Sequence, residues 1–527
     1  MKMYDVIIAG SGAAGVSAAY MLQGTNTVVI DAGKTPPISN FGSGNLYDLR
    51  KRENLFEEII GNRFESLNNI DRMELSPKVK SPLMRYVVEK VKDAPDIRSN
   101  NFYPMLSYAE GGLANAWGAQ VYRFNNQDLE SFPINSQDLE PYYDILTKHI
   151  GISGTRDDLE PFHGSSKILL PPLELSANGL DFLVRYQHQR SFFQKRHIYI
   201  GRPRLAVLSV DFNGRKKCDY DNLEFFQPRQ SSIYSPAFTL RSLVQEGKVQ
   251  YLPGFLIERY QEKHDHVIVF SRNINQRSGR TFRCKKLIIC LGALNTARIV
   301  LYSNHDDQTK LPILENPCSF TPLISLRQIG MPLEKRSYSS QINIFYSGPL
   351  WPKPVVGMIY GLDGLLRSDI LFNFPLTISG SIAAAKYLLP AMNLLQVFYP
   401  EDGRESNYLK IDEYGNIVIN YELMKPGVVE RLLLMSFRKI GYYGIPLLIR
   451  YAEAGMSIHY GGSLPMRRDP RNSYETYLDG LLKGSQHIYI GDSANFPQLP
   501  AKNLTFTVMA NSMRIAEGVK KEIQRKS

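Results

Sequence analysis

The chain of 527 residues has little cysteine and no long apolar run. Its four cysteines show no metal-ligand or redox spacing, and four are too few for a disulfide scaffold. No uninterrupted apolar run reaches the roughly 18 residues that a membrane-spanning helix needs. Internal repeats and low-complexity tracts are also missing. These absences exclude a small disulfide-stabilised module, and they favour a reducing, cytoplasmic compartment for a chain of about three to four domain-equivalents.

Acidic residues are the minority among the charged ones. Sixty-two Lys and Arg against 51 Asp and Glu leave a net charge of +11. The basic residues are scattered and accompany no nucleic-acid motif, so we expect no nucleic-acid partner. The excess of positive charge favours anionic ligands, or peripheral contact with an anionic membrane surface.

The stretch from Ile370 to Pro400 comes closest to a long apolar run, with Lys386 as its single charge. Pro375 and Pro390 interrupt it, so a spanning helix is not expected. A buried core segment is the preferred interpretation, and a membrane-surface patch is the alternative. The short apolar run Val6–Ala9 ends in glycines, so we expect no cleaved leader.

The N-terminus has the pattern of a strand, a turn, a helix and a second strand. Tyr4–Ala9 is rich in β-formers, Gly10–Gly15 is the turn, Val16–Gln23 has a helical pattern, and Thr27–Ile30 is again strand-like. Asp31 stands at the end of the second strand. The segment therefore predicts a βαβ unit that opens an α/β fold.

The turn Gly10-x-Gly12-x-x-Gly15 matches the dinucleotide-binding fingerprint. Gly10 permits the tight turn, Gly12 lets a pyrophosphate approach the backbone, and Gly15 lets helix and strand pack closely. The free N–H groups of the helix start then bind phosphate, and Asp31 suits a ribose diol. The alternative is a turn without a ligand, and the fingerprint alone leaves NAD and FAD both open.

Two later segments repeat the strand-to-glycine-to-helix pattern. A β-rich block runs from Val249 to Phe270, continues from Thr281 to Leu291, and ends at Gly292, where a helical pattern opens. Near the C-terminus, strand Ile488–Ile490 precedes a loop and a helix from about Leu504 to Gln524. Both segments are therefore expected to join the first βαβ unit.

The regions between these segments differ in character. Phe102–Phe124 is Gly-rich with little helical period, as is typical of active-site loops, and a helix is expected over Leu139–Lys148. Residues 320–454 alternate strand candidates, such as Ser340–Tyr346 and the hairpin Tyr408–Tyr421, with apolar helices. We interpret this region as a separate substrate domain.

Four sequence segments resemble one family of flavoproteins. They are Gly111–Gly118, Ile458–Met466, His487–Pro497 and Lys502–Thr507. In order and spacing these segments resemble the glucose-methanol-choline (GMC) family of FAD-dependent oxidoreductases. The Trp117 loop is similar to the sugar-oxidising branch, which contains pyranose oxidase and fructose dehydrogenase. The resemblance covers roughly residues 1–165, 205–305 and 455–527.

The resemblance implies an α/β fold with a Rossmann-type FAD-binding domain. It also implies an α+β substrate-binding domain built on an antiparallel sheet. The predicted FAD-binding domain comprises residues 1–165, 205–319 and 455–527, and the predicted substrate domain comprises residues 166–204 and 320–454.

The cofactor implied by the resemblance is FAD. Ala116 stands where some sugar-oxidising relatives place a histidine that bonds covalently to flavin, so non-covalent FAD is predicted. The helix near Leu504 is expected to aim its N-terminal N–H groups at the flavin's N1–C2=O2 edge. The predicted cofactor-binding residues are Gly10, Ser11, Gly12, Ala14, Gly15, Asp31, Ala32, Gly112, Asn115, Ala116, Trp117, Gly118, Ile257, Gly292, Gly491, Asp492, Leu504 and Thr505.

The predicted catalytic residues are His459 and Asn503. Alcohol oxidation needs a base to take the hydroxyl proton while a hydride leaves the carbon for flavin N5. The family pairs a His at the first position with His or Asn at the second, which implies a base and a residue that orients the substrate oxygen. His487 is interpreted as structural, and His264 and His266 as part of a polar turn, so no metal is expected.

The leading hypothesis is an FAD-dependent enzyme that oxidises a small-molecule alcohol, with oxygen, a quinone or a redox protein as electron acceptor. A sugar or glycoside and a natural-product alcohol are the substrate classes considered. One alternative keeps the fold but assigns lyase, isomerase or decarboxylase chemistry, on a lipid-like substrate at a membrane surface. Another is a flavin-binding scaffold without activity.

Overall fold

The N-terminal strand, turn and helix form the expected βαβ unit in the computed structural model. Strand β1, Met3–Ala9, and strand β2, Thr27–Ile30, pair in parallel around helix α1, Ala13–Met21. The helix begins at Ala13 and not at the expected Val16, because Val16 N–H already donates to the Gly12 carbonyl. The structure describes residues 2–37, 55–63, 65–66, 77–99, 101–164, 168–221, 224, 226, 231–334, 337–362 and 377–526.

A seven-stranded sheet contains this unit, with the order β5-β2-β1-β8-β7-β6 and β20 beside β8. The pairs β5–β2, β2–β1, β1–β8 and β8–β20 are parallel, and β6, β7 and β8 are antiparallel. Its further strands are β5 Gln250–Leu252, β6 Phe255–Glu262, β7 Val267–Asn273, β8 Gly279–Ile289 and β20 Ile488–Ile490. The carboxyl ends of β1, β2, β8 and β20 therefore meet at one edge, where ligands bind in such sheets.

Helices cover both faces of the parallel part of this sheet, whose strands β1 and β2 are apolar and buried as that burial requires. On one face the C-terminal helix packs against α1, with Ser512 Oγ donating to the Ala14 carbonyl at 2.7 Å. The described helices are α1 Ala13–Met21, α2 Leu55–Ile60, α3 Ser136–Ile150, α4 Glu160–His163, α5 Ala177–His188, α6 Arg190–Gln194, α7 Pro236–Gln245, α8 Ala293–Ser303, α9 Ile378–Leu388, α10 Val428–Phe437 and α11 Thr505–Lys526.

A second seven-stranded sheet is antiparallel, with the order β17-β11-β14-β13-β12-β4 and β18 also on β11. Its strands are β4 Ile198–Gly201, β11 Cys318–Ser325, β12 Ser340–Tyr346, β13 Val355–Gly361, β14 Met392–Phe398, β17 Tyr442–Tyr443 and β18 Arg450–Tyr451. Helices α5, α6 and α10 pack on one face, against Leu395 and Val397. The alternate residue Phe398 lies on the opposite face, because side chains alternate along a strand.

Two smaller sheets connect these parts. One contains β3 Ile97–Ser99, β9 Leu311–Pro312, β15 Tyr408–Ile411 and β16 Ile417–Asn420, and the other contains β10 Leu314–Glu315 and β19 Tyr460–Gly461. The hairpin β15–β16 forms as expected, but its apolar face packs with α8 on the parallel-sheet core, not on the antiparallel sheet. The limits of the two domains stay a prediction.

The apolar stretch 370–400 divides into parts with different environments. Strand β14 is a core segment, as expected, whereas helix α9 exposes Ile382 and Tyr387 at 51% and 63% of their surface, so the core interpretation is wrong for α9. Residues 370–376 lie outside the described residues. No described helix is long and apolar enough to cross a membrane.

Candidate active site

The glycine turn after β1 is held by contacts that exclude larger residues. Gly10 has φ +99°, and a Cβ there would lie 2.5 Å from the Cys290 carbonyl oxygen. A Cβ on Gly15 would lie 1.9 Å from the Gly10 carbonyl oxygen. A Cβ on Gly12 would meet no atom within 4 Å, so this position is open. The turn thus has two packed glycines and one that leaves backbone accessible, as the fingerprint requires.

The second glycine loop contacts the first. Gly112 has φ +65°, and a Cβ there would approach Gly12 Cα to 3.1 Å. The Gly111 N–H donates to Ser11 Oγ at 3.2 Å. Two motifs that are distant in the sequence therefore line the same crevice, and Ser11 joins them.

Asp31 lies at the same edge, at the end of β2, and its carboxylate is surrounded by donors. Ser11 N–H donates to Oδ2 at 2.9 Å, the Ser11 hydroxyl bonds the same oxygen, and the Tyr251 hydroxyl donates to Oδ1 at 2.9 Å. Burial raises the pKa of Asp31 to about 6, against the lowering effect of these hydrogen bonds. Ala32 and Ile257 are buried close by, with the Ala32 carbonyl accepting from Gly254 N–H.

The ends of β8 and β20 meet through Asp492. Its Oδ2 accepts from Gly292 N–H at 2.9 Å and from Thr296 Oγ1 at 2.6 Å, and its Oδ1 accepts from Ala494 N–H at 2.9 Å. Burial raises the pKa of Asp492 to about 6. A Cβ on Gly292 would meet nothing within 4 Å, so its backbone is open as at Gly12. Gly491 is instead packed, because a Cβ there would lie 2.6 Å from Cys290 Sγ.

The loop from Asn115 to Gly118 is fixed by its own polar groups. The Asn115 amide donates to the Glu110 and Gly112 carbonyls and accepts from Ser235 Oγ at 2.6 Å. Further contacts are the Trp117 indole N–H on the Tyr234 carbonyl at 2.8 Å, the Tyr338 hydroxyl on the Gly118 carbonyl at 3.2 Å, and apolar packing of Ala116. Asn115 therefore holds the loop in shape, a role that the sequence did not predict.

Helix α11 begins beside the catalytic candidates. Thr505 is its first residue, and the buried Leu504 accepts from Val508 N–H at 2.9 Å. The preceding Lys502 is buried and donates to the Asp128 carboxylate and to two backbone carbonyls. This anchor fixes the position at which the helix starts.

His459 and Asn503 meet. Asn503 Nδ2 lies 3.3 Å from His459 Nε2, and the imidazole stacks on Phe398 with ring centroids 4.9 Å apart. His459 Nδ1 and Asn503 Oδ1 are buried and have no hydrogen-bond partner among the described residues. Buried polar atoms are nearly always paired in proteins, so these two atoms point to a ligand with hydrogen-bonding groups.

Burial lowers the pKa of His459 to about 4. The imidazole is therefore neutral at neutral pH, and a neutral imidazole can accept a proton. The pair thus combines a proton acceptor with an amide that can donate to an oxygen.

Glu315 is the main residue of this region that the sequence did not reveal. It is 1% exposed on β10, and it accepts from Gly455 N–H at 2.7 Å and from Ser457 N–H and Oγ at 3.0 and 2.7 Å. Ser457 Oγ in turn accepts from His459 N–H at 3.3 Å, and Ile458 between them has φ +63°. Burial raises the pKa of Glu315 to about 7. A lone Glu far along the chain carries no local signal of this role.

The residues at the sheet edge fit FAD. Gly12 and Gly292 leave open backbone at neighbouring strand ends, and the first N–H groups of α1 have no partner within the helix. The N-terminal and C-terminal segments would hold the two halves of the cofactor. They lie together because α11 packs against α1. The unpaired atoms of His459 and Asn503 lie at the start of the second of these helices.

Comparison with solved structures returns pyridoxine 4-oxidase from Mesorbium loti, with a TM-score of 0.60, 13% sequence identity and coverage of 99% of each chain. No protein-family model and no curated sequence matches the chain. At 13% identity this likeness concerns the fold alone. The chain therefore has the fold of pyridoxine 4-oxidase along its whole length.

Proposed function

We propose that the chain is a GMC-type, FAD-dependent oxidoreductase that oxidises a CH–OH group of a small molecule. The observation that carries this proposal is the half-buried pair His459–Asn503, 3.3 Å apart, with one buried and unpaired polar atom on each side chain. It lies next to the start of α11, whose packing on α1 connects it to the dinucleotide-type turn.

Each residue of the site has a separate role in the proposed oxidation. His459, kept neutral by burial, takes the hydroxyl proton of the substrate. Asn503 Nδ2 donates its second N–H to the substrate oxygen and holds that oxygen against His459 Nε2, while the unpaired Oδ1 can accept from a further substrate group. Non-covalent FAD, when bound, supplies N5 as the hydride acceptor. Phe398 fixes the plane of the imidazole, and Glu315 acts through Ser457 on the loop that carries it.

The substrate class is proposed from the wall beside His459. On the sheet face that carries Phe398, Gln396 of β14 and Phe320 of β11 form the neighbouring row, and Tyr360 of β13 lies one row further. The wall therefore combines aromatic and amide groups. Such a wall suits a ring that carries hydroxyl groups, either a sugar or glycoside or an aromatic natural-product alcohol. The name of pyridoxine 4-oxidase, which indicates an aromatic ring compound as its substrate, is compatible with the second class. Oxygen, a quinone or a redox protein would take the electrons.

The test begins with the purified full chain. Acid should release a yellow cofactor, and an artificial electron acceptor should reveal turnover on a panel of sugars and aromatic alcohols. His459→Ala should keep the colour and lower kcat by about 10²–10⁴. His188→Ala, on the exposed end of α5, is the matched control and should behave as wild type. A His459→Ala protein that reduced its flavin at the wild-type rate would contradict the assignment.

Non-oxidative chemistry, meaning lyase, isomerase or decarboxylase activity, is the second candidate. The neutral, half-buried imidazole would serve proton transfer in either case. Anaerobic mixing with a substrate separates the two candidates. Bleaching of the visible flavin band supports oxidation, whereas product formation without bleaching supports the alternative.

A further inference from the structure

One end of the antiparallel sheet exposes large apolar side chains from three segments. The segments are residues 326–331 after β11, helix α9, and residues 443–448 after β17. Leu447 is 86% exposed, which is extreme for a leucine. The side chains that define this apolar surface are Leu326, Ile329, Met331, Ile382, Tyr387, Tyr443, Ile445, Leu447 and Leu448.

Backbone contacts hold the three segments together. Gly330 N–H donates to the Tyr387 carbonyl at 2.9 Å, which joins the first segment to α9. Strand β17 pairs antiparallel with the end of β11 through Ile324 and Tyr443, so the third segment runs back along the edge of β11 towards Arg450, which pairs with Phe320. Residues 326–331 and α9 therefore form one patch, which adjoins the third segment at Tyr443, and large apolar patches mark interaction sites.

Helix α9 turns an apolar face outward. Ser379, Ile382, Ala383, Lys386 and Tyr387 are its exposed residues, and their spacing of three and four places them on one face. That face carries two large apolar side chains and a single charge. A surface helix in water normally exposes its polar face, so the outward face of α9 is suited to an apolar partner.

Positive charge accompanies the apolar side chains. Residues 320–333, 377–391 and 431–451 contain no Asp or Glu. Four exposed cations of these ranges lie on α9 or near the end of β11, and none forms a salt bridge with a described residue: Arg327, Lys386, Arg438 and Lys439. Arg431 and Arg450 lie towards the start of β11 instead. Among the described residues, Asp181, which is paired with Arg185, and Glu334 adjoin these segments, so cations outnumber anions and the partner should be both apolar and negatively charged.

We propose that the apolar surface docks on an anionic lipid bilayer. Its apolar side chains would enter the boundary between headgroups and acyl chains, and its cations would lie among the lipid phosphates. A second copy of this chain fits less well, because a symmetric pair would bring the two sets of cations face to face. With no described helix able to span a membrane, the contact is peripheral.

The surface is separate from the candidate catalytic pair. Strand β11 begins at Cys318, which pairs with Phe398 beside His459, and it ends at Ser325 next to the apolar surface. At about 3.3 Å per residue, the strand spans roughly 23 Å. The third segment instead runs back along β11 towards Arg450, which pairs with Phe320. Substitutions in residues 326–331 and α9 should therefore leave turnover of a water-soluble alcohol unchanged, and the proposal does not depend on the proposed function.

The test is co-sedimentation of the full flavin-loaded chain with vesicles. Wild type should sediment with phosphatidylcholine vesicles that contain about 30 mol % phosphatidylserine, more weakly with phosphatidylcholine alone, and less as salt screens the charges. Leu447→Asp with Ile445→Asp should reduce the partition coefficient at least about tenfold. Replacing Lys386, Arg438 and Lys439 by Gln should weaken binding to the anionic vesicles by about tenfold or more, and barely affect the neutral ones.

Tyr414→Asp is the matched control, because Tyr414 is 73% exposed on the β15–β16 turn, outside the surface. It should bind vesicles as wild type does. Equal losses in Tyr414→Asp and Leu447→Asp would overturn the proposal, as would absence of wild-type binding to anionic vesicles at low salt. Self-association without lipid that Leu447→Asp abolishes would assign the surface to a second copy and would also overturn it.

Discussion

The glycine-turn end and the His459 end of this crevice are held in place by different forces. Around Gly10 and Gly15 the contacts are between backbone atoms, and a single methyl group would overlap a carbonyl oxygen. Around His459 the contacts are side-chain hydrogen bonds and ring stacking, supplied by Glu315, Ser457 and Phe398. A substitution at the backbone contacts should cause a large loss of stability, because packed backbone atoms cannot move apart easily. Substitutions at the side-chain contacts should cause smaller losses, one for each hydrogen bond removed.

Gly15→Ala should give the largest effect. Its Cβ would lie 1.9 Å from the Gly10 carbonyl oxygen, so strand and helix must separate, at a cost of about 3 kcal/mol or more in the free energy of unfolding. Gly12→Ala is the matched variant, because Gly12 has φ −68° and open space. It should keep the fold within about 1 kcal/mol and lose FAD affinity. Thermal unfolding and flavin content measure the two effects, and equal destabilisation would remove the distinction between the glycines.

His459 should make the protein sensitive to acid. Its pKa of about 4 in the folded chain lies below the ordinary 6.5, so the unfolded chain binds more protons between these values. The stability from the neutral imidazole is full above pH 6.5 and is lost as the pH falls towards 4, by up to about 3 kcal/mol.

His459→Leu should reduce this loss. Urea unfolding at pH 7 and at pH 4.5 measures the loss of stability. Equal losses in wild type and variant would contradict the assignment of this loss to His459. Alcohol-dependent flavin reduction, if His459 is the base, should fall only as the pH approaches 4.

Ser457→Ala tests whether the contacts at the His459 end weaken by degrees. The variant removes the hydroxyl between Glu315 and the His459 N–H, so we expect kcat to fall about tenfold and the unfolding free energy to fall by about 1–2 kcal/mol. Ser271→Ala, which removes a buried hydroxyl on β7, should lower stability alone. Steady-state kinetics should show the change in kcat and not in KM. Unchanged kcat would mean that the serine only stabilises the loop.

Asn115→Ala should have the smallest effect of the series. The amide holds the Trp117 loop through Glu110, Gly112 and Ser235, so we expect a loss of about 1 kcal/mol in stability with flavin content retained. The unfolding midpoint measured at increasing FAD concentration reports the stability, and the bound flavin reports the cofactor content. A loss of flavin from a stable variant would show instead that Asn115 binds the cofactor directly.

Local elements were predicted well because their signals are local. Strands β2, β12 and β20 have the expected limits, and the glycine turn, the β15–β16 hairpin and the C-terminal helix lie where the sequence placed them. The family resemblance predicted that His459 and Asn503 form a pair. In the structure their side chains lie 3.3 Å apart. Helix α9 was misjudged because composition reports apolarity and does not report which face finds a partner.

By itself, the sequence determined the βαβ opening, the need for glycine at residues 10 and 15, and the candidate catalytic pair. Only the tertiary structure decided that Glu315 holds the His459 loop, that Asn115 is used within its own loop, and that one sheet end leaves large apolar side chains exposed. The physical reason is the range of the interactions. Backbone conformation and periodicity act between neighbours in sequence, whereas burial and side-chain pairing depend on which distant strands lie side by side.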